Sequence, residues 1–403
     1  MGDSLAPWAR LPAMSSSRPQ GLWLISLAAF SSMASMRVCD PMLVALSSEF
    51  QISVGEASRV VSAFAVAYGC LQLFYGPLGD RMGKLRVING AVLACAIFSA
   101  LTALASDFRL LVLSRALMGA SAAGIIPLSM AWLGDQVSYE RRQETLAKLM
   151  SATVTGMMTG QWFGGWAAES LGWRTAFAVL SCMFALACML LFVRMGAQRQ
   201  VVPVHTQGSY WQQAWSGLAL LKVPRVRWVL TVTGIEGALA FGTLAFVPSQ
   251  LVQHFGLSAS LAGALMALYG IGGLGYSQLA RRWLGWFGER GLARLGSSLV
   301  AAGLLLLAWT QHVGFAALGC VSAGLGFYML HNTLQTQATQ MAPEARGSAV
   351  TLFACMLFFG QSAGVLVAAQ TVDHGGLDWA YTASALGMVV LGRVVARHVN
   401  AKA

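Results

Sequence analysis

Twelve apolar segments alternate with short polar segments along the 403-residue chain. Each is close to the roughly 20 residues that a helix needs to cross a bilayer, and none shows the alternation typical of a β-barrel strand. The pattern predicts an all-α polytopic membrane protein with twelve transmembrane helices. Helices α1 to α12 are predicted over 21–45, 54–75, 87–105, 110–133, 145–168, 175–194, 226–250, 257–283, 292–310, 314–340, 347–372 and 377–396.

The longest polar segment between two predicted helices is 195–225, and it divides the chain nearly in half. We therefore expect two six-helix halves, 21–194 and 226–396, joined by this segment as a cytosolic central loop. Polar cytosolic tails are expected at 1–20 and 397–403.

Composition supports a protein embedded in a membrane. Hydrophobic residues make up 57% of the chain and charged residues 10%, whereas a soluble protein carries roughly 25% charged residues. This leaves too little polar surface to coat a water-soluble protein. The seven cysteines all lie in apolar runs without metal-ligand spacing, so we expect packing roles for them. No metal or cofactor is predicted.

Positive charges are concentrated on one side of the predicted topology. Of the 26 Lys and Arg residues, 21 fall on the side that carries both termini. Arg59, Arg109 and Arg174 fall on the opposite side, and Arg37 and Arg115 lie within helices. Because Lys and Arg accumulate in short cytoplasmic loops, both termini are expected in the cytosol. The net charge of +11 then reflects topology and contact with anionic lipid headgroups, not nucleic-acid binding.

A basic, glycine-rich turn separates α2 from α3. The residues that carry its pattern are Gly76, Asp80, Arg81, Gly83, Lys84 and Arg86. Their spacing and position resemble the signature between helices 2 and 3 of the major facilitator superfamily of secondary transporters. The resemblance, which extends from α1 to α12, implies two pseudo-symmetric halves that alternate access to a site between them. It also implies that Asp80 faces the start of α11, near Arg346, as a cytosolic latch.

A second glycine pattern lies on α5. Its residues are Gly156, Gly160, Gln161, Gly164 and Gly165. The pattern resembles the signature of the exporting drug:proton antiporter branch, although Gln161 stands where that branch usually has proline. The glycines allow a neighbouring helix to approach closely. They either serve packing alone or mark an exporter.

The two halves also share sequence features. Residues 139–144 open α5 and residues 343–347 open α11 with similar charged side chains, and 171–174 before α6 is echoed at 377–379. The segment after α8 is a degraded copy of the turn after α2, because it keeps glycines and bases but lacks the acid. A duplicated six-helix unit is what alternating-access transporters use.

Three ionisable residues interrupt the apolar helices of the first half. Such groups cost a few kcal/mol at the bilayer centre and normally face a cavity or a partner. Arg37 and Asp40 share one face of α1, and Arg115 on α4 lies at a similar depth. Since the resemblance places α1, α4, α7 and α10 around a central cavity, we expect these side chains to meet. They form a structural or gating salt bridge, bind substrate, or couple to protons through Asp40.

The second half carries a different pair. Glu236 on α7 and His331 on α10 lie roughly 15 and 13 Å from the terminus-bearing side, so their depths match. They are the preferred proton-linked pair, and a hydrogen-bonded interhelical role is the alternative for His331. Tyr328 and Gln335 lie on the same helical face as His331, and Asn332 is adjacent. We expect these three polar residues to line the substrate cavity together with the charges of the first half.

The sequence therefore predicts a proton-coupled secondary transporter in the bacterial inner membrane. The first hypothesis is a monomeric exporter of small organic or amphiphilic compounds, with a small-molecule substrate, protons and the lipid bilayer as its partners. An importer or a lipid-type translocator on the same fold is the alternative. A membrane-embedded enzyme or a sensor is a remote alternative, because no catalytic constellation or soluble signalling domain accompanies the helices.

Overall fold

The computed structural model describes residues 21–137, 139–197, 215, 217–374 and 376–399. These residues are almost entirely helical, and no strand occurs among them. The predicted tail 1–20, most of the predicted central loop and the last four residues lie outside this range.

The helices extend a few residues beyond most of the predicted apolar runs. Helices α1 to α6 are Leu22–Phe50, Val54–Met82, Lys84–Ala103, Phe108–Gln136, Tyr139–Ser170 and Trp173–Ala197. Helix α7 is Pro224–Phe255, α8 and α9 share Ala259–Trp309, and α10 to α12 are Val313–Gln340, Arg346–Asp373 and Leu377–His398. Short 3₁₀ turns, Gly217–Lys222 and Pro343–Ala345, precede α7 and α11.

The break predicted between α8 and α9 at 284–291 is reduced to one residue, Gly288, which has φ 59°. Glycine reaches this region at little cost, so a single residue separates the two helices. Their neighbours on α10 show that the chain reverses there. The contacts are Tyr269 with Gly324, Gly273 with Tyr328 and Tyr276 with Asn332 for α8, and Gly296 with Gly326 and Gly303 with Gly319 for α9. Helix α8 is therefore parallel to α10, and α9 is antiparallel to it.

Ten helices of the described chain are long and apolar enough to cross a membrane. One of these, Ala259–Trp309, provides two crossings because it reverses at Gly288. Helix α5, at 32 residues, is a further long helix with more polar positions. The arrangement is that of an integral, multi-pass membrane protein with twelve crossings.

The packing of α5 on α1 is repeated by α11 on α7. A Cβ atom on Gly156 would overlap the carbonyl oxygen of Phe30, so the two backbones touch only because the residue is glycine. Both positions recur 204 residues later, where Gly360 meets Gly234. Two further contacts recur at shifts of 204 and 205 residues: Gly160 with Ala34 as Gly364 with Ala238, and Gly119 with Phe64 as Gly324 with Tyr269. The duplication is therefore visible as one packing scheme used twice.

The two halves pack against each other at the end of the bundle away from the termini, which we call the far end. There α2 contacts α11, and the Ser62 and Ser362 hydroxyls each donate to the other residue's carbonyl oxygen, at 3.4 and 3.1 Å. Helix α5 contacts α8, where Gly263 lies against the backbone of Gln161. The opposite end, which carries both termini, is called the terminal end.

Candidate functional site

The structure brings together Arg37, Asp40 and Arg115 in the interior of the first half. Helix α1 is interrupted by a 3₁₀ turn at Asp40–Met42, and Arg37 Nη1 donates to Asp40 Oδ2 at 3.4 Å. Both side chains are at most 3% exposed. Arg115 Nη1 donates to the carbonyl oxygen of Ser35 at 3.0 Å, which ties α4 to α1. The cluster thus holds two cations and one anion away from water.

Several polar atoms of this cluster have no hydrogen-bond partner within the described part of the chain. They are Asp40 Oδ1, Arg37 Nε, and Nε and Nη2 of Arg115. The Gln161 side chain lies beside the Asp40 carboxyl, and the Phe64 ring covers the Arg115 guanidinium at 4.4 Å. A buried polar group without a partner costs about 1–3 kcal/mol. The cluster therefore keeps hydrogen-bonding capacity for a ligand or for another state.

Glu236 and His331 face each other across α7 and α10. His331 Nδ1 lies 3.1 Å from Glu236 Oε2. Glu236 is fully buried, whereas the His331 side chain is 15% exposed. The imidazole stacks on Phe327 with ring centroids 5.0 Å apart, and the Phe353 ring centroid lies 5.3 Å from it. The pair therefore places a carboxyl and an imidazole in direct contact between α7 and α10.

An aromatic residue, Phe241, connects the two charged groups. The Arg37 guanidinium carbon lies 4.5 Å from the Phe241 ring centre, and Phe241 contacts Phe327 at 4.7 Å. The Tyr269 hydroxyl is buried without a hydrogen-bond partner among the described residues, within electrostatic reach of Arg37 and Glu236. Charges from both halves therefore meet one aromatic region. Sequence reasoning missed Phe241 because one more apolar ring on an apolar helix carries no signal.

The other predicted cavity residues lie at different distances from this region. Tyr328 is half-buried, packs against Gly273 of α8 and lies near Arg37. Asn332 interacts with a tyrosine of α8, and Gln335 is exposed. Tyr328 therefore lies near Arg37, whereas Asn332 and Gln335 follow His331 along α10 toward the terminal end.

Two carboxylates at the far end cap helices of the opposite half. Asp373, at the end of α11, accepts hydrogen bonds from the Gly55 backbone N–H at 2.8 Å and the Ser53 hydroxyl at 2.7 Å. Glu169, near the end of α5, accepts one from the Ser260 backbone N–H at the start of α8, at 3.0 Å. Helix N-termini stabilise anions. Sequence reasoning missed both acids, although the repeat marks them, because they and their partner positions are 204 and 205 residues apart.

The glycine pattern of α5 packs on two sides. Gly156, Gly160 and Gly164 face α1, where a Cβ atom on any of them would overlap the backbone. Gly165 and Gln161 face α8 at the far end. The pattern is thus a seam that joins both halves. The residue in the proline position, Gln161, also places an amide next to the buried carboxyl of α1.

The turn between α2 and α3 lies at the terminal end, and only some of its residues contact other helices. Gly79 packs against Leu128 of α4, Gly83 has φ 90°, Lys84 pairs with Asp135 and Arg81 is half-buried. Gly76, Asp80, Arg86 and Arg346 are exposed. Asp80 forms no hydrogen bond or ion pair with any described residue. The expected contact of Asp80 with the start of α11 is therefore not made here, where the halves are joined at the far end instead.

The proteins that this chain is similar to are membrane transporters, in agreement with the helical arrangement described above. The family model described as Major Facilitator Superfamily matches residues 25–365. The chain belongs to the Major Facilitator Superfamily. The uncharacterized transporter YgaY of Escherichia coli O157:H7 is 26% identical over 376 residues, covering 90% of this chain and 91% of the relative. A chloramphenicol resistance protein of Streptomyces lividans is 26% identical over 374 residues, covering 88% and 90%.

Solved structures of superfamily members share the fold. The structure of the nucleoside transporter NupG matches with a TM-score of 0.77 at 15% identity, over 93% of this chain and 98% of the other. The human organic anion transporter MFSD10 matches with a TM-score of 0.70 at 18% identity, over 93% and 98%. The predicted fold class and superfamily are confirmed, and both are those of membrane transporters.

Proposed function

We propose that this superfamily member is a proton-coupled exporter of small organic or amphiphilic compounds. The observation that carries the proposal is the 3.1 Å contact between the fully buried Glu236 and His331. An acid inside a span is costly and marks a functional position. Superfamily membership supplies transport, and this pair supplies a group that takes up and releases a proton beside the cavity.

The cycle that we infer closes one end of the protein at a time. Here Asp373 and Glu169 join the halves at the far end, while Asp80 is exposed at the terminal end. The excess of Lys and Arg at the terminal end favours a cytosolic location for it. On that basis this arrangement is the inward-open state, and the Asp80 latch belongs to the outward-open state.

Proton and substrate compete for the same buried carboxylate in this scheme. Deprotonated Glu236 accepts substrate from the cytosol, and protonation from outside releases it. The protonated protein then returns inward and loses its proton. Each ligand drives the exchange only through its different affinity for the two states.

The aromatic region around Phe241 and the charges beside it suit compounds with an apolar body and a polar group. Phe241 and Phe327 offer ring faces, and the Tyr269 hydroxyl and the charges of Arg37 and Glu236 offer polar contacts of both signs. The export direction is supported by the α5 pattern and by the relative whose name is a chloramphenicol resistance protein. We therefore place amphiphilic antibiotics first among the substrate classes.

The test is transport by purified protein in proteoliposomes with an acidic lumen. Wild-type protein should concentrate members of a labelled panel of amphiphilic antibiotics, including chloramphenicol, in the lumen. Glu236→Gln should abolish this concentration, because the neutral amide resembles the protonated carboxyl that has released its substrate. The control is Glu289→Gln, because the Glu289 carboxylate accepts a hydrogen bond from Gln337 at the terminal end, away from Glu236 and His331. Gradient-driven concentration that survives Glu236→Gln unchanged contradicts the proposed coupling.

Direction needs a separate measurement, because Gln161 replaces the proline of typical exporters. In whole cells an uncoupler should raise the internal level of an exported compound. It should lower that of an imported one, and this second result would favour the importer.

A further inference from the structure

A basic cleft lies between α9 and α12 at the terminal end, away from the charged centre. Its volume is about 270 Å³, and it is lined by Arg294, Ser297, Ser298, Val389, Arg393 and Arg397. The arginines are exposed, whereas Ser297 is buried. A Cβ atom on Gly392 would overlap the Ser297 hydroxyl, so the two helices touch at the base of the cleft.

The cleft carries positive charge without a matching acid. No carboxylate lines it, and its three guanidinium groups form no ion pair within the described ranges. Arg393 donates a long hydrogen bond of 3.4 Å to the Val389 carbonyl oxygen. Arg393 and Arg397 are four residues apart on one helix face, where like charges repel. An anion between the three arginines would remove this repulsion.

Apolar stripes continue from the cleft along both helices. The exposed positions are Val390, Leu386, Ala383 and Trp379 on α12, and Ala302, Leu305 and Trp309 on α9. Their spacing of mostly three and four residues extends the faces that carry the arginines. From Arg393 to Trp379 α12 rises roughly 21 Å, more than the roughly 15 Å of hydrocarbon in one leaflet.

We propose that this cleft binds the phosphate headgroup of an anionic phospholipid, with the acyl chains along the two stripes. Guanidinium groups match phosphate oxygens with paired hydrogen bonds, and the exposed Ser298 hydroxyl adds a donor. A free phosphate ion gains nothing from the apolar stripes, so a lipid fits the whole surface better. Such basic pockets between transmembrane helices suit anionic headgroups of the inner leaflet.

The test compares the full-length protein with two variants that lose equal charge. The cleft variant carries Arg294→Gln, Arg393→Gln and Arg397→Gln. The matched control carries Arg227→Gln, Arg281→Gln and Arg282→Gln, which are exposed at the same end and outside the cleft. Each protein is exchanged into mixtures of dioleoyl phosphatidylglycerol and dioleoyl phosphatidylcholine, and retained lipid is counted by native mass spectrometry.

Wild type and control should retain phosphatidylglycerol in preference to phosphatidylcholine. The cleft variant should lose this preference by roughly ten-fold or more, since one arginine near an anionic lipid surface is worth roughly five-fold. Equal retention by the cleft and control variants would overturn the proposal. If the triple variant fails to fold, Arg393→Gln alone should lower the preference for phosphatidylglycerol roughly five-fold. An unchanged preference in that variant would also overturn the proposal.

Inorganic phosphate distinguishes a lipid site from a free-anion site. Phosphate alone should neither displace phosphatidylglycerol from the wild type nor raise its unfolding temperature as the lipid does. Displacement, or equal thermal protection by phosphate, would show that the cleft binds a free anion and that the lipid proposal is wrong.

Discussion

The two halves of the transporter share a packing scheme but differ in their buried charges. The glycine contacts repeat at a shift of 204 residues. At the same shift, Arg37 and Asp40 correspond to Phe241 and Leu244, and Glu236 corresponds to Ser32. The buried charges thus lie where the two copies differ, while the glycine packing contacts lie where they agree.

One contact joins a position to its own counterpart. Arg37 lies over the ring of Phe241, the residue that replaces it in the second copy. Equivalent positions that touch must lie close to the axis relating the halves. The pair therefore marks the centre of the molecule, where a ligand would contact both halves at once.

The largest effect on stability is expected in the first half. Arg37→Met leaves Asp40 buried without its ion-pair partner, which costs about 3–5 kcal/mol. Adding Asp40→Leu, the residue of the second copy, should restore part of the loss because it removes the carboxylate that lost its partner, while Arg115 keeps its hydrogen bond to the Ser35 carbonyl oxygen. Unfolding in detergent measures both variants. A double variant as unstable as the single one would show that the loss did not come from the unpaired Asp40 carboxylate.

The shared scaffold should respond equally in both halves. Gly160→Ala and Gly364→Ala each place a Cβ against a carbonyl oxygen of the facing helix, at an expected cost of about 1–3 kcal/mol. Gly90→Ala on α3 is the control, because no atom lies within 4 Å of its Cβ position. It should be neutral or stabilising by up to about 1 kcal/mol. Clearly unequal losses at the two crossings would mean that the repeated contacts differ in strength.

In the second half, removing a charge should change coupling more than stability. Glu236→Gln keeps the shape of the side chain and a hydrogen bond to His331, so unfolding should change by less than about 1.5 kcal/mol. The same protein should lose its pH-dependent transport. A loss as large as that of Arg37→Met, with the pH response intact, would assign Glu236 a structural role.

The helices and the charged groups could be predicted because each depends on one variable. An apolar run of about 20 residues identifies a span, and depth along the helix axis identifies which buried charges can meet. That arithmetic matched Glu236 with His331, which lie 3.1 Å apart.

Side-chain facing depends on packing and was harder to predict. Gln335 was expected in the cavity from its spacing to His331, and this stays a prediction: its side chain is exposed, toward the terminal end. The break predicted at 284–291 was too long, because the chain reverses at Gly288 alone and the residues on either side of it stay helical. Glu169 and Asp373 were missed because acids at helix ends usually face water.

The smallest effects are expected at the gates, where the two ends differ in symmetry. At the far end Glu169 and Asp373 make equivalent contacts from both halves. At the terminal end the position 205 residues after Asp80 is Gly285, so only one half supplies an acid. An anion at a helix N-terminus is worth about 0.3–1 kcal/mol, which corresponds to roughly two- to five-fold in the ratio of two states.

Substitutions at the two ends should therefore shift this ratio in opposite directions. Asp373→Asn weakens the state seen here, whereas Asp80 is exposed in it, so Asp80→Asn weakens only the state closed at the terminal end. Both should change turnover more than substrate affinity, and the double variant should return toward the wild-type ratio. Distances between spin labels on far-end loops at Leu104 and His312 report the two populations. Shifts of the same sign would show that Asp80 does not act as a latch, because an acid that joins the halves only at the terminal end cannot stabilise a state closed at the far end.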